Sequence, residues 1–183
     1  AARSGWLAAV LAARGVPGPR TLLEGPQGLF AATSVQADPA AIIADGSGWL
    51  IEQVSFKPWP ACRHAHPAID ALRRALPTAI DPATPARIEI ATYADALRFC
   101  DRPQPRTEME ARFSLQHCAA LVIAHGTPRL EHFLPAALES ATLAQLRARV
   151  VLSEHAGLSA RYPAHFGARV RVLLRDGTIL EGV

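Results

Sequence analysis

Residues 169–183, RVRVLLRDGTILEGV, set two alternating runs on either side of Asp176-Gly177. Gly supplies the positive φ that a tight hairpin turn needs, and alternation gives each strand one apolar face. That single feature predicts strands over Arg169–Leu174 and Thr178–Val183, whose apolar face needs a covering layer. Alternation recurs in ARIEIATY, residues 86–93, and the spacing predicts further strands over 149–153 and 51–56.

Helical signals fill the space between these strands. Pro67 opens a helix carrying Ile69, Leu72 and Leu76 on one side, and Pro77 closes it. Thr107 with Glu110 forms a capping box for a helix that runs through Phe113, Ala120, Ile123 and Ala124 to Gly126. Residues 130–148 read as one broken helix or two short ones, split at Pro135. The order from residue 51 is strand, helix, strand, helix, helix, strand, strand. It predicts an α+β fold, a two-layer domain over 51–183.

Residues 1–50 differ. They are Ala-rich, with Trp6, Leu7, Val10 and Leu11 at helical spacing and a stop at Gly15 and Pro17. Gly25-Pro26 marks a turn, and Asp38-Pro39 opens a short helix through Ala44 that Gly46 and Gly48 end. These pieces are too short for a stable bundle alone and read as the last helices of an all-helical domain. The lack of an initiator Met and the terminal strand without a polar tail predict that the chain is part of a longer protein.

Composition narrows the function. Charged residues make up 19% of the chain, against roughly 25% in an average domain. That balance predicts surface buried against a partner. A net charge of +3 is too small for a nucleic-acid stripe, and no run is long enough to span a membrane. Cys62, Cys100 and Cys118 lack metal-ligand spacing and read as reduced thiols of a cytoplasmic protein. No phosphate-binding glycine loop, dinucleotide fingerprint, HExxH or Ser nucleophile elbow occurs.

The densest chemistry lies in KPWPACRHAHP, residues 57–67. It holds Lys57, the only lysine, with Arg63, His64 and His66, and its prolines and Trp59 restrict its freedom. Cations beside the free N–H groups of a helix start suit a carboxylate or phosphate. The bland alternative is a solvated basic loop in which His66 acts as a cap. Arg102 and Arg106, in a second Pro-rich loop, suit either anion binding or pairing with acidic side chains. His117 reads as a binding residue or as a buried, hydrogen-bonded core histidine. Asp70 reads as a solvated helix residue or as a group orienting an Arg.

FKPWPACRHAHPAIDA resembles the KPYPxCRxxHPxIDA signature of the MmgE/PrpD family. LLEGPQGLF (22–30), RPQPRTEMEARFSLQHCAALVIAHG (102–126) and VRVLLRDGTILEG (170–182) are similar to family segments in the same order. The resemblance implies that residues 1–50 close a helical domain and that 51–183 form the smaller α+β domain. It implies Lys57 and His66 as catalytic residues and no metal or cofactor; with the loop reading above, the expected substrate-binding set is Lys57, Arg63, His66, Arg102 and His117. The implied activity is a hydro-lyase acting on a 2-methylcitrate-like di- or tricarboxylate by α-proton abstraction and loss of water. An epimerase or isomerase of a dicarboxylate, or a non-catalytic binding module, is the alternative. A family decarboxylase carries a catalytic His where this chain has Cys62 and a Tyr near Phe99, and other members have Tyr at the position of His117. These departures argue against decarboxylation. The implied partners are a second copy of the chain, in a homodimer, or a complementing helical domain.

Overall fold

The computed structural model describes residues 2–34, 36–38, 50–76 and 78–183. The helix expected to open at Asp38-Pro39 and the helix stop at Pro77 fall outside the described residues. The chain divides into two compact units, Ala1–Val54 and Ser55–Val183.

In the first unit, α1 spans Ala2–Ala13. It ends where Gly15 takes φ +81°, a left-handed conformation that side-chain-bearing residues avoid. The expected apolar stripe is present, but α1 buries none of its residues, and Trp6 is 69% exposed. A turn at Gly25 leads to the short α2, Leu29–Thr33. The strand expected over 51–56 does not form. Leu50–Gln53 is a 3-10 turn, and the chain beyond it is irregular. A strand needs a paired neighbour, and here Ile51, Val54 and Phe56 are exposed, Phe56 to 86%.

The second unit is an α+β domain. Its sheet contains β1 (Pro85–Thr92), β2 (Val150–Glu154), β3 (Ala168–Leu174) and β4 (Ile179–Gly182) in the order β2-β1-β3-β4. β1 pairs parallel with β2 and antiparallel with β3, and β3–β4 is the expected hairpin, with Gly177 at φ +88°. Alternation sorts the two faces. Ile88 and Ile90 lie opposite Val172 and Val170, and all four are buried. On the other face Arg171 bonds Glu89 at 3.2 Å and Glu181 at 2.8 Å, while Arg87 bonds Glu89 at 2.8 Å.

Helices cover the apolar face. α3 (His66–Ala75) packs on β3 and β4 and buries Ile69 and Leu72. β4 approaches α3 so closely that Gly182 sits against the Ala71 carbonyl, where no Cβ would fit. α4 (Ala94–Cys100) was not anticipated from the sequence. The helix expected to run from Thr107 to Gly126 is two helices, α5 (Glu108–Arg112) and α6 (Leu115–His125). The break follows from a second N-cap, because Ser114 Oγ accepts the His117 N–H at 2.9 Å. Thr107 Oγ1 accepts the Glu110 N–H as expected, but the Glu110 carboxylate reaches back to the Arg106 N–H.

α6 is buried from Leu115 to Ile123 and occupies the middle of the helical layer, between α3 and α8. α7 (Pro135–Leu138) and α8 (Ala141–Ala148) break where expected at Pro135 and again at Ser140, which caps α8. The short α9, Ala156–Ser159, follows β2. Among the described residues no helix is long and apolar enough to cross a membrane.

Candidate functional site

The segment 57–67 is held from within. Trp59, Ala61, Cys62 and Ala65 are buried, so their side chains anchor the loop while Lys57 stays exposed. The Cys62 N–H donates to the Arg112 carbonyl at 2.7 Å and ties the loop to the end of α5. Arg73 lies over the Trp59 ring at 5.6 Å, and the His66 ring meets its edge at 5.1 Å. Arg63 donates to the Phe56 carbonyl at 3.3 Å and packs over Phe166. A 3-10 turn, Arg63–Ala65, then delivers the chain into α3.

His66 is 5% exposed. Its Nε2 lies 3.3 Å from the Ala61 carbonyl, which can only accept, so Nε2 carries the proton. Nδ1 is buried with no hydrogen-bond partner among the described residues. Burial lowers the His66 pKa, and the cations Arg63 and Lys57 lower it further against the pull of nearby carbonyls. The ring is therefore a neutral imidazole at pH 7 with an unshared electron pair in a dry setting.

Trp59 and Pro58 divide the loop between two clefts. A large cleft of about 770 Å³ is lined by Lys57, Pro58, Trp59 and Cys62 on one side and by Met109, Arg112, Phe113 and Arg129 among others. A smaller cleft of about 180 Å³ holds Arg63, His66 and Asp70 against Pro58, Trp59 and Phe166. The residues that sequence places together thus stand on either side of one aromatic wall, with Lys57 still near enough to act electrostatically on His66.

Arg102 borders a side pocket with Met109, Glu110 and Phe113, two of which also line the large cleft. Its loop is pinned to the start of α6. Ser114 Oγ donates to the Arg102 carbonyl at 2.6 Å, and Gln116 takes the Arg102 N–H at 3.1 Å. Arg106 faces a separate hollow beside α8.

His117 is placed elsewhere, in the core. Its Nε2–H donates to the His132 carbonyl at 3.0 Å, and Nδ1 accepts from Arg147 at 3.3 Å. Burial pushes its pKa down to about 4, and Arg147 adds to the effect. His64 also turns inward. It bonds the Tyr93 hydroxyl at 2.8 Å and stacks on Phe99 at 5.1 Å.

Arg112 and Arg129 went unremarked in the sequence. A single helix from 107 to 126 would have left Arg112 in mid-helix, whereas the cap at Ser114 makes it the last residue of a short one. Recognising two successive N-caps was the available signal.

Among the described residues, no three His, Cys, Asp or Glu side chains gather as a metal site would require. The arrangement sets cations beside apolar walls, with a neutral imidazole across Trp59 from Lys57. No curated protein matches the chain. Residues 59–183, more than half of the chain, match the family model described as the MmgE/PrpD C-terminal domain. They include Trp59, His66, Arg112, the sheet and the helical layer that positions them, and on that match the chain belongs to the MmgE/PrpD family.

Proposed function

We propose that this chain forms the polycarboxylate-binding part of a cofactor-independent hydro-lyase acting on a 2-methylcitrate-like di- or tricarboxylate. Membership of the family supports a lyase- or dehydratase-type function. The observation that carries the finer reading is the pairing, in one anchored segment, of exposed Lys57 with a buried, neutral His66 whose Nδ1 has no partner among the described residues.

An α-hydrogen beside a carboxylate becomes removable when the charge left behind is stabilised. The Lys57 ammonium stabilises that negative charge, and apolar walls strengthen its effect by excluding water. In this scheme the substrate spans the Pro58–Trp59 edge that the two clefts share, and the neutral His66 ring takes or holds the proton at Nδ1. The electrons of the broken C–H bond form the new double bond. The hydroxyl leaves from the neighbouring carbon with its bonding pair, takes the proton held on His66 and departs as water, which returns the ring to its neutral form. Arg63, in the same small cleft as His66, and Arg102, at the margin of the large one, bind carboxylate in this scheme. His117 supports the site through the packing of α6.

In this reading residues 1–50 close a helical domain, and the protein works in the cytoplasm as a homodimer. Three unpaired, buried thiols and the exposed Trp6, Leu7 and Leu11 support that reading.

The test supplies 2-methylcitrate and citrate to the assembled protein in D2O. Ultraviolet absorbance reports the new double bond, and proton NMR reports α-hydrogen exchange. We expect alkene formation. Exchange without alkene would move the reaction to epimerisation, and the absence of both would refute catalysis.

A further inference from the structure

The large cleft carries more positive charge than Lys57 supplies. Lys57, Arg112 and Arg129 line it, and among the described residues no Asp or Glu does, in a chain whose whole formal excess is +3. Arg112 is marked by a buried donor left unused. Its Nε is buried with no partner among the described residues. Its ion pair with Glu108 is 3.8 Å long, beyond hydrogen-bond range. The side chain is 33% exposed, so the rest of the guanidinium remains within reach of a ligand.

The backbone holds this group in register with Lys57, because the Arg112 carbonyl receives the Cys62 N–H. A planar guanidinium with free donors matches a carboxylate through two parallel hydrogen bonds, which an ammonium cannot do. Met109, Phe113 and Trp59 give the cleft apolar walls that favour direct over water-mediated contact.

We propose that Arg112 is a second carboxylate-binding residue of the large cleft, gripping one carboxylate of a di- or tricarboxylate while another lies on Lys57. The inference rests on the polycarboxylate part of the reading above. Glu108 is then a resident competitor for the guanidinium.

The experiment measures calorimetric binding of tricarballylate to the assembled protein. This tricarboxylate has no hydroxyl to lose, so binding is read without turnover. Arg112→Gln should weaken binding by roughly 10-fold or more, and Arg112→Lys should recover only part of the loss. Glu108→Gln keeps the arginine and removes its competitor, so it should tighten binding a few-fold. Unchanged affinity in both Arg112→Gln and Glu108→Gln would overturn the proposal. If Arg112→Gln loses its near-ultraviolet circular dichroism, Glu108→Gln decides alone, and a failure to tighten overturns it. Arg112-dependent binding without any turnover of 2-methylcitrate sustains this inference and defeats the hydro-lyase reading. No binding by the unmodified protein defeats both.

Discussion

Replacing His117 with Gln should change how the stability of this domain depends on pH. In the folded protein the ring is neutral. Its Nε2–H donates to the His132 carbonyl, and Nδ1 accepts from Arg147, whose other nitrogen donates to the Leu138 carbonyl. One network thus joins α6, the 3-10 turn at Leu130–Phe133, α7 and α8. Protonation would replace an acceptor with a second cation 3.3 Å from the guanidinium. Burial is the larger cause and this repulsion adds to it, so the folded pKa is about 4, against 6.5 for the free side chain. Because the folded value is depressed, the unfolded chain takes up the proton first as pH falls. The stabilisation is present above about pH 6.5 and is lost as the pH falls toward 4, in total about 3 kcal/mol, of which about 2 kcal/mol is gone by about pH 5.

Urea unfolding of both proteins from about pH 7.5 to about pH 4.5 measures this. His64, His66 and His132 also have lowered pKa values, so the difference between the two proteins isolates His117. The Gln variant should be less stable near pH 7.5 by about 1–2 kcal/mol, for a buried hydrogen bond made imperfectly. That deficit should shrink and reverse with acid. A difference that stays constant across the range would refute the neutral-ring reasoning.

Three further outcomes are expected. Lys57→Met should keep the fold and lower kcat on the confirmed substrate by roughly 100-fold or more, as removal of one electrostatic partner of a developing charge does. A rise in KM with kcat spared would instead limit Lys57 to recruitment. Gly182→Ala should destabilise the domain by about 1–3 kcal/mol in thermal or urea melts, because the new Cβ meets the Ala71 carbonyl of α3 and neither backbone can yield. Glu89→Gln should cost less than about 1 kcal/mol although it contacts two arginines, since all three side chains are well exposed, and melts in high salt should erase the difference.

What could be read from the sequence was what local chemistry decides. The Asp176-Gly177 hairpin, the start of α3 near Pro67, the caps at Thr107 and Ser114, and the end of α6 at Gly126 each depend on a turn, a ring or a hydroxyl within a few residues. The Ser114 cap is masked although its signal is local, because apolar spacing alone continues through it. The run 51–56 misled for the opposite reason. Its apolar residues suit a strand, but a strand exists only through a partner that sequence does not show. The parallel pairing of β1 with β2 likewise joins segments about sixty residues apart, as Ile88↔Val150 shows.

The site divides along the same line. That 57–67 gathers cations and histidines is legible, and so is its resemblance to a family signature. Only packing reveals that Trp59 separates Lys57 from His66 and that His117 meets an arginine thirty residues away. Only packing brings Arg112 to the wall facing Lys57. Caps and turns are settled by neighbours along the chain, whereas burial, pKa and the lining of a cleft depend on which distant side chains exclude water. The residue types at this site were therefore determined by the sequence, and their protonation and grouping by the fold.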